Sequence, residues 1–457
     1  MEQPAPTPPH SSRMSALSKY GHWIRLLPSK DYLAGAFLAY STSKNGPTDS
    51  QLFLHLFRSC SPDHVQVRHL SITTNYLNLA PDDTKRMVMD FVLSRTRQLE
   101  ISSQGPTSTY GLTSILEQCS SPLRKLTFGS IRFDGSEMSE LEEEPTEYEA
   151  KGWTSLKELA LDWSDHLFWR WLFRRCGQVE ILDLYLPTFG GIQVLAQAML
   201  TRMPQLTGIT LQHRAFVTMS DDDVATLLSG SSKGWRRVTL QYMARSGTAI
   251  TGALEKHFPT LETLEFCDDT QDDSWYKNTV HFLSSCPRLQ SFVNNDRHST
   301  LDINVFTDRD PDTGSLRPWK CEGTLKVLQL YITIPRTMEL QDEARSGQGK
   351  GIQDGLYDRL ARLTQLEVLF LRYHVYGTDN EKLEMTLERG LHKLSGLKKM
   401  EELYITGLSS KMGIQEFQWM VENWPRLRFI EGLSMSKKNQ EAAQWIQKNH
   451  PRIVVTH

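Results

Sequence analysis

The sequence predicts an α/β leucine-rich-repeat solenoid of about a dozen turns, its parallel strands lining a concave face and its helices outside. Three observations predict it. The first is a recurring phrase: Leu156-x-x-Leu159-x-Leu161, Val179-x-x-Leu182-x-Leu184, Leu206-x-x-Ile209-x-Leu211, Trp235-x-x-Val238-x-Leu240 and Leu261-x-x-Leu264-x-Phe266. The first anchors are separated by 23, 27, 29 and 26 residues, a period that means one stacked strand-and-helix unit per repeat. The second is a change of periodicity, from two within each phrase to helical spacing between phrases. The third is a proline just ahead of many strands, in RMPQL, HFPTL, SCPRL and NWPRL. Proline there ends the helix and biases the residue before it toward extended geometry.

The elements follow in order. Upstream stand Val67-x-x-Leu70-x-Ile72, a weaker turn ending Leu99-x-Ile101, and Leu123-x-x-Leu126-x-Phe128. Downstream come Leu289-x-x-Phe292, Leu325-x-x-Leu328-x-Leu330, Leu366-x-x-Leu369-x-Leu371, Met400-x-x-Leu403-x-Ile405 and, last, Leu427-x-x-Ile430. Ile24 and Leu27 read as an incomplete first turn. Between strands, Ile192, Leu195, Ala196 and Met199 share one helical face, and Phe417, Met420, Val421 and Trp424 another. Cys60, Cys119, Cys176 and Cys286 recur at the helix end. One thiol per turn at a fixed phase reads as packing, because no Cys-x-x-Cys or His-x-x-x-His spacing gathers ligands.

The organisation expected is a disordered tail over 1–13 and a solenoid over 14–457, with inserted loops near 134–149, 298–323 and 336–355. The first insertion holds eight acidic residues and no basic one, the composition of a solvated loop. The other two are rich in glycine, proline and charge.

With 457 residues, 39% hydrophobic and 23% charged, the chain has the make-up of an ordinary globular protein. A net charge of −3 supplies no basic field for a polyanion, so nucleic acid is not an expected partner. No apolar run approaches the roughly 20 residues that span a bilayer, and the proline-rich start has no secretory core. No Asn-x-Ser/Thr acceptor occurs, and six cysteines are too few for a disulfide framework. Together these point to a cytoplasmic or nuclear protein without membrane contact.

Catalytic and cofactor signatures are missing from the sequence. Gly347-Gln-Gly349-Lys-Gly351 lacks the Gly-Lys-Ser/Thr ending of a phosphate loop. Asp308, Asp310 and Asp312 begin like a calcium loop, but the glycine comes late, at Gly314, and Trp319 stands where a glutamate should close the shell. No metal or cofactor is expected, and an enzyme with an inserted active site is the remote alternative.

Period-two alternation turns the residues between the anchors toward the concave face. Early strands present small polar groups with Asp162 and Asp183; late strands present Gln329, Tyr331, Phe370, Arg372 and Tyr404. Exposed rings beside an arginine have the composition of an interface hot spot. A protein or peptide ligand is expected there.

The phrasing of SCPRLQSF, HFPTLETLEF and NWPRLRFI resembles the leucine-rich repeats of F-box proteins, particularly fungal ones, over roughly Tyr20 to His457. Lys19-Tyr-Gly-His-Trp-Ile-Arg25 resembles the segment that follows the F-box in some of them. The resemblance implies repeats that hold a substrate for a ubiquitin ligase, with the F-box docking on a cullin-ligase adaptor. Of the F-box itself, only Leu27-Pro28 followed by Tyr32, Leu33, Phe37 and Leu38 has a counterpart. A free-standing scaffold or GTPase regulator is the rival expectation, for which the acidic 134–149 segment is a hint.

Overall fold

The structure, a computed structural model, describes residues 67–73, 93, 96–103, 106–107, 109–119, 123–129, 131–133, 153–162, 167–185, 191–212, 220–241, 248–267, 275–295, 301–302, 306, 308–310, 312–333, 348–373, 384–405, 412–433 and 437–456. The expected tail, the F-box-like segment, Cys60, the acidic 134–149 insertion and residues 336–347 lie outside them. The chain divides into two compact units: Met1–Gly191 with Ala198–Leu206, and Ile192–Gln197 with Thr207–His457.

The first unit contains β1 (Val67–Thr73), β2 (Thr96–Ser102), β3 (Pro106–Thr107), β4 (Lys125–Gly129), β5 (Arg132–Phe133), β6 (Glu158–Asp162) and β7 (Ile181–Tyr185). Its main sheet runs β1-β2-β4-β6-β7, every pair parallel. β3 and β5 form a separate parallel pair. Helices α1 (Thr109–Gln118) and α2 (Leu167–Phe173) lie between strands in sequence.

The second unit carries β8 (Gly208–Gln212), β9 (Arg237–Gln241), β10 (Thr263–Cys267), β11 (Ser291–Asn294), β12 (Leu301–Asp302), β13 (Val327–Thr333), β14 (Val368–Tyr373), β15 (Glu402–Tyr404), β16 (Phe429–Glu431) and β17 (Val454–Thr456). Its sheet order follows the sequence from β8 to β17, all parallel, except that β12 joins β13 beyond the end of β11. α3 (Ile192–Arg202) spans the division, and α4 (Asp221–Leu228), α5 (Thr248–Glu255), α6 (Trp275–Ser285), α7 (Gln348–Ala361), α8 (Ile414–Asn423) and α9 (Lys437–Asn449) follow. Two short 3₁₀ turns, Leu387–Arg389 and Leu391–Gly396, replace the helix ahead of β15.

The repeat phrase explains these strands. In the five clearest turns every apolar anchor is at most 5% exposed, from Leu156 to Phe266. The alternate residues turn the other way, as the buried-intermediate alternation of β4 and β7 shows. Helices meet the buried face through rings: Phe128 of β4 packs edge-on against Phe168 and Trp169 of α2, and Phe266 of β10 lies 5.6 Å from Phe282 of α6. Trp235 replaces the usual leucine and still seats fully, because its indole N–H donates to the Leu228 carbonyl at 2.6 Å. The helices start where side chains satisfy free N–H groups. Ser220 accepts from the Asp223 amide at 3.1 Å ahead of α4, whose first turn carries three aspartates; Glu416 accepts from the Gly413 amide at 2.8 Å ahead of α8.

A second regularity is pure backbone. At the start of successive strands, one carbonyl takes two N–H groups from the following turn. Arg124 accepts from Lys157 and Glu158 (2.8 and 3.0 Å), and Arg236 from Glu262 and Thr263 (2.8 and 2.9 Å). Lys326 accepts from Glu367 and Val368 (2.7 and 2.9 Å). The turns are thereby locked in register before the strand ladder begins.

Cys119, Cys176, Cys286 and Cys321 are buried free thiols. Cys119 and Cys176 donate back to the carbonyls of Ile115 and Leu172 at 3.3 Å, as small packing groups at helix ends. Burial raises all four pKa values, those of Cys119, Cys286 and Cys321 to about 12, so they remain protonated and unreactive.

Parts of two segments expected as loops are ordered into a helix and a turn. Helix α7 starts at Gln348, so Gly349 and Gly351 lie in its first turn. Within the 298–323 insertion, Arg309 and Leu316 form an antiparallel bridge, closed by the Gly314 amide on the Asp310 carbonyl at 2.8 Å. Gly314 has φ 64°, a left-handed geometry that glycine adopts without strain. Phe306, Leu316 and Trp319 beside it are buried. The reason is Arg359 on α7, whose side chain is 1% exposed. Its guanidinium donates to the carbonyls of Phe306 (3.3 Å) and Arg317 and to Glu322 (3.0 Å), and stacks 4.8 Å over Trp319.

Candidate functional site

The five residues expected at the ligand face lie on three adjacent strands of the second unit. Register sets Gln329 of β13 beside Phe370 of β14, Phe370 beside Tyr404 of β15, and Tyr404 beside Glu431 of β16. One step further along, Tyr331 is beside Arg372. All five share the strand face opposite the buried leucines, because each alternates with Leu328, Leu330, Leu369, Leu371 or Leu403.

These side chains contact one another. Phe370 and Tyr404 stack with centroids 4.0 Å apart and planes 20° from parallel. Tyr404 continues to Phe429 of β16 at 5.2 Å, a residue the sequence reading passed over although Leu427-x-x-Ile430 already sets it on this face. Arg372 lies 4.4 Å over the Phe370 ring and donates from Nη1 to the Tyr331 hydroxyl at 3.1 Å. Gln329 donates its amide to Asn295. The rings are half-buried, with one correction: Tyr331 is only 6% exposed, not the open ring expected. Strands flank it on both sides, β12 having joined β13 at Ile332 and Thr333, and Arg372 covers its hydroxyl.

The electrostatics divide across the stack. Toward β16, the Tyr404 hydroxyl donates to Glu402 at 2.9 Å, and Arg428 pairs with Glu402 (2.7 Å) and Glu401 (3.2 Å). Loss of hydration around the phenol, then the bond to Glu402 and the nearby Glu431 charge, push the Tyr404 pKa up to about 12, so this hydroxyl stays a donor. Toward β13, the charge is Arg372.

Elsewhere the candidates supply no chemistry. The Asp310 carboxylate accepts the amides of Asp312 and Thr313, both at 2.9 Å, which lowers its pKa and commits it to the turn. Among the described residues, no group of three or more His, Cys, Asp or Glu is placed to hold a metal ion. None of the described helices is long and apolar enough to cross a membrane. The sequence reading also stopped one strand early. β17 follows His450-Pro451-Arg452-Ile453, which repeats the phrasing of NWPRL, and Ile453 is buried.

Repeated phrase, parallel register and buried anchors define the class: each unit is an α/β leucine-rich-repeat solenoid. No family model and no curated protein matches the chain in sequence. Among solved structures it is similar to a chain in the crystal structure of the yeast Rad7 and Elc1 complex, with 13% identity and a TM-score of 0.40 over 99% of this chain and 98% of that one.

Proposed function

We propose that this chain is a non-catalytic protein-recognition module, holding a protein or peptide ligand on the outward strand face of its second unit across Gln329, Tyr331, Phe370, Arg372 and Tyr404. The observation that carries the reading is the run of ring contacts from Arg372 through Phe370 and Tyr404 to Phe429 on one face of three adjacent strands. Rings already ordered by their neighbours lose little rotamer freedom on binding, which is how a few residues come to dominate an interface. The test compares wild type with a Phe370→Ala/Tyr404→Ala double variant in affinity capture from native extract. A drop of about tenfold or more in the captured partner, with the melting temperature nearly unchanged, supports the reading. Equal capture by both forms overturns it.

A finer role is as substrate receptor of an F-box-type ubiquitin ligase, in the cytoplasm or nucleus. It is supported by the repeat phrasing of SCPRLQSF and NWPRLRFI. In the same capture, a cullin-ligase adaptor should come down equally with wild type and the double variant. A partner recovered without any adaptor would leave a free-standing scaffold.

A further inference from the structure

Two arginines beside strand starts of the second unit are paired with carboxylates. Arg236 grips both oxygens of Glu262 at 2.8 and 2.9 Å, and Arg428 bridges Glu401 and Glu402. Arg372 is different. No carboxylate among the described residues pairs with it, and its Nε is shielded from solvent without any hydrogen-bond partner. The guanidinium is nevertheless held in place, by the Phe370 ring beneath it and by the Tyr331 hydroxyl on Nη1. Fixing Nη1 leaves Nη2, which is not closed off as Nε is and makes no hydrogen bond among the described residues, to meet a carboxylate oxygen.

The surroundings narrow the ligand further. Along the same face, Val327 pairs with Val368 beside the Gln329–Phe370 row, and Val454 of β17 is 54% exposed. Glu402 and Glu431 lie across Tyr404 from Arg372. A phosphate-rich polyanion would meet these acids, whereas a single carboxylate reaches Arg372 and leaves them aside.

We infer that Arg372 is the anchor for a carboxylate-bearing peptide, in which an Asp, Glu or terminal carboxylate sits next to an aliphatic or aromatic residue. The carboxylate takes Nη2, and the apolar neighbour lies on the Phe370–Tyr404 stack. This deepens the recognition reading above and rests on it.

The experiment is selection of a phage-displayed library of random dodecapeptides on the full chain, on Arg372→Gln and on the Phe370→Ala/Tyr404→Ala variant. Wild type should enrich an acid beside an apolar residue, and Arg372→Gln should keep the apolar preference while losing the acid. A synthetic consensus peptide should then bind Arg372→Gln about tenfold more weakly than wild type, with Arg372→Lys between them. Replacing the peptide's acid by its amide should cost nothing further on Arg372→Gln. A wild-type consensus without an acid, or an acid preference that survives Arg372→Gln, overturns the inference while leaving the recognition face standing. Enrichment no better on wild type than on the Phe370→Ala/Tyr404→Ala variant overturns both.

Discussion

Two arginines of the second unit both lie on aromatic rings, and their surroundings make them opposites. Arg359 stacks on Trp319, and its donors end on two carbonyls and Glu322 inside the fold. Arg372 stacks on Phe370, donates to Tyr331, and has no hydrogen-bond partner for its Nε among the described residues. A guanidinium whose donors are consumed internally is a fastener, and removing it strands buried acceptors. One held in place with Nη2 unspent contributes little to the fold and is positioned for a ligand. The ring contact alone does not distinguish them; the fate of the N–H groups does.

Exchanging the arginines for neutral residues should separate these roles. The largest effect belongs to Arg359→Met, expected to lower unfolding free energy by about 3–5 kcal/mol in urea titration while leaving peptide selection at the strand face unchanged. A loss below about 1 kcal/mol would mean that the 308–323 hairpin holds itself.

Next comes a buried group that obeys the same rule as Arg359 and also titrates. His257 is 3% exposed; its Nδ1 accepts from the Trp235 amide at 3.4 Å, which leaves Nε2–H to donate to the Leu228 carbonyl at 3.2 Å. A proton on Nδ1 would face that amide. Burial, with the nearby Lys256 charge, lowers the pKa from 6.5 to about 4. The unfolded chain therefore binds more protons between these values. Stability is fully present above about pH 6.5 and falls toward pH 4, by at most about 3 kcal/mol from this group. His257→Asn should flatten that part of the pH profile, and an unchanged slope would assign the acid sensitivity elsewhere.

The smallest effect is expected from Arg372→Gln, which should change unfolding free energy by less than about 1 kcal/mol, because it removes one hydrogen bond and a half-exposed ring contact. A loss as large as that of Arg359→Met would erase the distinction between the two.

Much of the fold was legible because a strand turn is encoded locally. Leu156, Leu159 and Leu161 declare their burial by spacing alone, and all three are buried. The insertion was not legible, because what orders 308–323 is an arginine at 359, beyond an intervening strand, in a segment whose glycines read as loop. The face of the site was also legible, since parity along a strand sets which way Phe370 and Tyr404 point. Tyr331 shares that parity yet is covered by its neighbours, and no local pattern records that β12 would join β13. Likewise the missing partner of the Arg372 Nε is a relation between side chains on different turns, invisible until the register is known.

The doubled carbonyl that recurs at strand starts has a consequence for descent. Its donors are main-chain groups, so any residue but proline can supply them. The chain uses that freedom: the second donors include Glu158, Ile181, Arg237, Thr263, Ser291, Val368 and Phe429, with no common chemistry. Shape is thus inherited through a few apolar anchors and a backbone habit that writes nothing into the alphabet. A lineage built this way can drift past recognition letter by letter while its turns keep stacking, and kinship is better sought in the phase of the anchors than in matching residues.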